Sequence, residues 1–125
     1  MKLLLDTQIV LWTVLGKPEL TRASRKLMQD AESVFVSSIS LWEVAIKFAQ
    51  GKLPVDMQRL RADLQASAFL PLPVTWEHAM TLRGLPLLHR DPFDRMLVAQ
   101  AMSEPMHLLT HDAKLAAYSP LVMVV

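Results

Sequence analysis

Four carboxylates sit where folding could gather them into one place. Asp6 follows the apolar run Leu3-Leu4-Leu5, and Glu43 interrupts the apolar helical stretch Leu41-Trp42-Glu43-Val44-Ala45-Ile46. Asp94 closes the segment His89-Arg90-Asp91-Pro92-Phe93-Asp94, and Asp112 follows a second apolar run, Leu108-Leu109-Thr110. Acids set against apolar chain are costly to bury unless something positive joins them. Several carboxylates at one spot also repel each other and resist ionisation. A hard divalent cation removes both penalties, because Mg²⁺ or Mn²⁺ takes oxygen ligands and commonly works on phosphates. The reaction suited to such a site is phosphodiester hydrolysis, with the ion acidifying a water and neutralising the leaving oxygen.

Each acid also has a structural alternative. Asp6 and Asp112 are placed to cap helices. Asp94 could complement a helix dipole from the first turn, and Glu43 could pair with Lys47 four residues on. Glu43 fits its alternative least well, since its neighbours leave little solvent face. Asp91 is a fifth acid beside Asp94. It is the better cap, whereas Asp94 lies further into the helix; Asp94 is therefore the favoured ligand, with Asp91 left open as sharing or replacing it. Thr7 and Thr110 flank the acids and could support them through their hydroxyls, but capping or a strand-end hydrogen bond is the default for both, as capping is for Ser38. Arg90, Arg95 and Lys47 are the candidate substrate-binding cations; guanidinium suits phosphate oxygens, while local salt bridges compete for all three. His89, His107 and His111 match no zinc spacing, and no cysteine supports them. Trp12, Trp42 and Trp76 are expected as core or interface anchors rather than stacking platforms.

The elements that must position these groups follow from patterning. Lys2–Leu5, Ser33–Val36, Met106–Thr110 and Leu121–Val125 read as strands, with a short extended piece at Phe69–Leu72. The first is apolar without alternation, as expected of a strand covered on both faces. Helices are expected over Thr7–Leu15, from Thr21 to about Ala31, from Ser37 or Ser38 to about Gln50, over Asp56–Ser67, and from Thr75 through Leu82. Another opens at Asp91-Pro92, with Asp as cap and Pro at the first helical position. A last, short helix runs from Asp112 to Ala117. Alternating strands and helices imply an α/β fold with a central parallel sheet of about four to five strands and helices on both faces. In such sheets the site lies at the carboxyl ends of the strands, where the strand order reverses.

The chain has 125 residues, a single domain's worth, with 52% hydrophobic and 20% charged residues. That is the composition of a compact protein rather than a disordered one. A formal net charge of +1 announces no nucleic-acid binding by bulk charge, so a basic surface would have to be local. The absence of cysteine excludes disulfides and thiolate metal sites and fits a reducing compartment. No stretch approaches the length of a membrane helix, Asp6 stops the opening apolar run too early for a signal peptide, and a cytoplasmic location is expected. Only three glycines occur, and no Gly-rich phosphate loop, which argues against a nucleotide-triphosphate or dinucleotide enzyme. Three Trp and eight Met in so short a chain leave apolar surface to spare for a partner.

The motifs Leu5-Asp6-Thr7, Ser38-Ile39-Ser40-Leu41-Trp42-Glu43, Asp91-Pro92-Phe93-Asp94-Arg95 with Val98-Ala99-Gln100-Ala101, and Thr110-His111-Asp112 resemble the PIN-domain ribonucleases. The likeness is greatest to the VapC-type toxins of bacterial toxin–antitoxin pairs and extends over essentially the whole chain, 1–125. The resemblance implies an acidic quartet of Asp6, Glu43, Asp94 and Asp112 that binds Mg²⁺ or Mn²⁺ and hydrolyses RNA. It further implies a small antitoxin protein as partner, and a homodimer. The alternatives are a non-catalytic module of the same fold that binds RNA or a partner, and a DNA nuclease or phosphatase using the same site chemistry.

Overall fold

The computed structural model describes all residues, 1–125, and contains one five-stranded sheet with helices on both faces. The strands are β1 (Lys2–Leu5), β2 (Ser33–Ser37), β3 (Leu70–Leu72), β4 (His107–Thr110) and β5 (Val122–Val124). The helices are α1 (Thr7–Leu15), α2 (Arg22–Asp30), α3 (Ser38–Ala49), α4 (Met57–Ala66), α5 (Trp76–Arg83) and α6 (Pro92–Ser103). A short 3-10 helix, Ala113–Ala117, follows Asp112. The sheet order is β3-β2-β1-β4-β5, and every pairing is parallel.

The chain winds from the centre at β1 outward through β2 to β3, then returns past β1 to build β4 and β5. The order therefore reverses between β1 and β4, which opens a crevice at their carboxyl ends. In that crevice the Asp6 backbone N–H still donates to Leu109 O at 3.0 Å. Leu3, Leu4 and Leu5 are wholly buried because β1 is central and covered on both faces. Leu4 and Leu108 join the apolar cluster under α6, while Leu5 and Leu109 join the cluster shared with α1 and α4. This alternation makes β1 and β4 the common wall of two cores.

Local departures from expectation have simple causes. β2 extends one residue further than expected, and Ser37 rather than Ser38 caps α3, its Oγ accepting from Ile39 N. Ser38 instead donates to Leu72 O at 3.2 Å, tying α3 to the edge strand β3. Pro71 is tolerated because β3 lies at the sheet edge. Trp42 and Trp76 are not core residues, at 60% and 88% exposed, so only a surface role is left for them.

Candidate metal centre

Four helical elements and two strand ends meet at the crevice. Asp6 leaves β1 and becomes the N-cap of α1, its Oδ1 accepting from Ile9 N at 2.8 Å. Its other oxygen accepts the hydroxyl of Thr110 at the end of β4. Asp6 is only 5% exposed. Burial raises its pKa despite the donors that favour the charged form, and the neighbouring Glu43 charge raises it further.

Glu43 comes from the second turn of α3 and is 6% exposed. Its Oε2 pairs with Lys47 Nζ at 3.0 Å, one helical turn on. Its Oε1 is buried with no hydrogen-bond partner at all. A buried, unpartnered carboxylate oxygen carries a full desolvation cost unless a ligand compensates it.

Asp91 caps α6, one oxygen accepting from Phe93 N at 2.8 Å and Asp94 N at 3.1 Å. Asp94 then lies in the first turn, and its pKa is raised to about 7. Burial is the largest cause, followed by the charges of Asp91, Asp6 and Glu43, with His89 acting the other way. Asp112 differs. It caps the 3-10 helix, with Oδ1 accepting from Lys114 N and Oδ2 from His89 Nε2, each at 3.0 Å. Partial burial opposes its charge, but these donors and the charges of His89 and Lys114 outweigh burial and hold its carboxyl below the usual range.

All four acids and Asp91 line one cavity of about 420 Å³, facing a single ammonium, that of Lys47. The donor set is all oxygen, and one of its oxygens is an orphan. Such a set fits a hard divalent cation: Asp6, Glu43, Asp94 and Asp112 could hold it, with Asp91 at the side keeping one oxygen for α6.

The remaining candidates divide. Thr110 holds Asp6, whereas Thr7 donates to Ser40 Oγ at 2.9 Å and clamps α1 to α3. Lys47 lines the cavity, but Arg90 and Arg95 do not. The Arg95 guanidinium donates to Leu85 O at 3.2 Å. His107 begins β4, at the end of the strand remote from the crevice. His111 lines the cavity, its ring edge-on to Trp12 with centroids 5.0 Å apart.

Sequence reasoning missed the part played by His89. Its Nδ1 accepts from Asp91 N at 3.1 Å, so in the neutral ring the proton sits on Nε2. That nitrogen is the one that meets Asp112 at 3.0 Å and stands 3.8 Å from Asp94 Oδ2. The three side chains are close enough to share an ion, with ligand atoms within 4.8 Å of one another. The tautomer nevertheless makes His89 a donor that seats Asp112 rather than a nitrogen ligand. The only signal for this was the His-x-Asp-Pro spacing, which gives no hint of Asp112.

The PIN-domain family model matches residues 3–119. Among solved structures, the chain is similar to VapBC2 from Rickettsia felis bound to a DNA fragment from their promoter, with TM-score 0.74 and 17% identity over 100% of this chain and 98% of that one. A toxin–antitoxin complex from Klebsiella pneumoniae matches with TM-score 0.69 and 22% identity, covering 97% and 95% of the two chains. DNA-bound VapBC from Salmonella typhimurium matches with TM-score 0.67 and 20% identity, covering 100% and 97%. No curated protein matches the chain. At such identities the structural likeness is one of fold.

Proposed function

This chain belongs to the PIN-domain family, and from that premise we propose that it is a metal-dependent endoribonuclease, a single nuclease domain acting as the toxin of a toxin–antitoxin pair. The observation that carries the reading is the carboxylate cavity lined by Glu43, whose buried Oε1 has no partner. Asp6, Glu43, Asp94 and Asp112 hold the ion, and Asp91 supports the start of α6. When bound, Mg²⁺ or Mn²⁺ supplies charge neutralisation for a phosphate and acidifies a water.

The protein's own groups do the positioning. Thr110 and the Ile9 N–H fix both oxygens of Asp6. Lys47 holds one oxygen of Glu43 and leaves the other free for the ion. His89 and the Lys114 N–H fix Asp112. Asp94, pushed up to about 7 by burial and its acidic neighbours, would be partly protonated near neutral pH, and a bound cation would favour its charged form.

The toxin–antitoxin reading draws on the similar folds in VapBC complexes, and it implies a small protein partner that blocks the cavity. No helix is long and apolar enough to cross a membrane, and the proposed site of action is the cytoplasm. Homodimerisation is proposed through the exposed apolar side chains of α5 and the loop after it: Trp76, Met80, Leu87 and Leu88, which are between 55% and 88% exposed.

The test is cleavage of RNA by purified protein in Mg²⁺ or Mn²⁺, with DNA of the same sequence alongside. The expected result is RNA cleavage that EDTA and Asp6→Asn abolish. No cleavage by wild type, or cleavage unchanged in Asp6→Asn, would refute the proposal. A non-catalytic module without the ion site would show no Mn²⁺-dependent rise in Tm.

A further inference from the structure

Beside the acidic cavity runs a second cleft of about 380 Å³ with the opposite charge. Its floor is apolar, formed by Trp12, Leu15 and Leu53, and its rim carries Lys17, Lys47 and Lys52 with no acidic residue. Leu15 is 50% exposed. The cleft and the cavity share Gln8, Leu11 and Lys47, so one opens into the other.

Backbone geometry fixes where the two outer lysines stand. α1 and α3 each end near a glycine in the left-handed region, Gly16 at φ 63° and Gly51 at φ 70°. In each case the next residue is a lysine whose backbone N–H reaches back five residues. Lys17 N donates to Trp12 O and Lys52 N to Lys47 O, each at 2.9 Å. These are helix terminations of the Schellman type. Two helices that form the walls of the acidic site thus deliver a lysine to the same cleft by the same device. Lys17 and Lys52 form no ion pair.

We propose that this cleft is the track for single-stranded nucleic acid beside the cutting site, with Lys17 and Lys52 on backbone phosphates and unpaired bases lying on the Trp12, Leu15 and Leu53 floor. This rests on the nuclease reading above. Alternating phosphate contacts and apolar base contacts are how single strands are held without sequence readout. A duplex keeps its bases stacked inside and cannot use an apolar floor. An acidic peptide would also suit the lysines, but it does not alternate a charge with a flat apolar face at every repeat, as a single strand does. Phosphates that follow the track into the cavity would find their charge neutralised by the cation that its carboxylates could hold.

The bland alternative is that each lysine merely complements a helix C-terminus. The two readings separate by measurement. The probe is a fluorescein-labelled oligoribonucleotide bound with Ca²⁺ present, its integrity checked on a gel, over a range of salt. Each phosphate contact on a single strand contributes about 0.7 to the salt slope, so Lys17→Gln/Lys52→Gln is expected to lower the slope by about 1.4 and affinity by roughly 25-fold at about 0.1 M salt. Lys17→Arg/Lys52→Arg should bind like wild type. Lys2→Gln/Arg83→Gln, which removes the same charge from elsewhere, should also leave the slope unchanged.

If wild type cuts RNA in Mn²⁺ but the glutamine pair binds it equally well, the track is wrong and the nuclease reading stands. If wild type neither binds nor cuts RNA, both fall. An affinity loss that the arginine pair does not reverse would assign the lysines a structural role and overturn the track. So would a glutamine pair that binds RNA normally but loses a co-purified protein partner.

Discussion

Asp94 and Asp112 approach the same imidazole, at 3.8 and 3.0 Å, yet their carboxyls are pushed in opposite directions. The difference lies in what else surrounds each of them, and it has a measurable sign. An unfolded aspartate ionises near 3.8, whereas folded Asp94 does so near 7. Between those values the folded chain holds a proton that the unfolded chain has lost, so stability falls as pH rises through that window. Asp6, also raised, acts in the same sense. Asp112, lowered, contributes stability only above its unfolded value, loses it at more acidic pH, and does not oppose the trend. In EDTA, Tm is therefore expected to fall from about pH 5 to about pH 7, and Asp94→Asn should flatten that fall. The rise in Tm given by saturating Mn²⁺ should grow across the same interval; a flat or rising EDTA profile would contradict the raised Asp94. Asp6→Asn keeps an oxygen for capping α1 while removing a charge. It should raise Tm in EDTA and abolish the Mn²⁺-dependent increment. His89→Leu leaves Asp112 unseated, and calorimetric Mn²⁺ titration should give an affinity about 10–100-fold weaker, partly restored in His89→Gln. Unchanged affinity in His89→Leu would remove this histidine from the site. Asp6, Glu43 and Asp112 stood out in the sequence because they follow an apolar run or break one, whereas Asp94 stood out only beside the Asp91-Pro92 helix start. His89 did not, because its partner Asp112 lies 23 residues downstream and no local pattern links them.

The elements were the most legible level. Asp6, Thr21, Asp56, Thr75, Asp91 and Asp112 all cap the helices they precede, since short polar side chains compete well for free N–H groups. Ser37 against Ser38 was undecidable in advance, as both hydroxyls suit a cap and the choice depends on Leu72 being near enough to occupy the other. Arg95 shows the limit of spacing arguments: adjacency to Asp94 does not stop its guanidinium from turning to Leu85 O. The helix that carries Asp94 is held by its apolar face, with Leu97 and Val98 fully buried. Leu97→Ala is expected to cost about 2–5 kcal/mol by chemical denaturation. If that variant stays folded, its Mn²⁺ affinity should hold, since Asp91 and Asp94 are placed by the cap and not by this contact. At α5, Thr75 and His78 form a reciprocal capping box, and Thr75→Ala should cost about 1 kcal/mol. A loss well below that would show that the box contributes little.

Across the whole molecule, parallel topology decides what local pattern cannot. The alternation of strands and helices implies a parallel sheet, but which strands neighbour each other depends on packing, and it is the pairing of β1 with β4 that brings Asp6 beside Thr110. Expressed without its partner, the protein is expected to arrest growth, and Asp6→Asn to relieve the arrest at equal soluble level. Normal growth under verified expression would count against the toxin role. Trp76→Glu/Met80→Glu should convert a dimer to a monomer by sedimentation velocity with little change in Tm, whereas a wild type that is already monomeric would discard the dimer. The bond between Asp6 and Thr110 spans 104 residues, and its consequence is temporal. A ribosome produces Asp6 104 residues before the threonine that seats it. Until β4 has been made and has slotted in beside β1, no chain in the cell carries a working blade. On the toxin reading proposed above, a new copy would be harmless for as long as that stretch takes to translate.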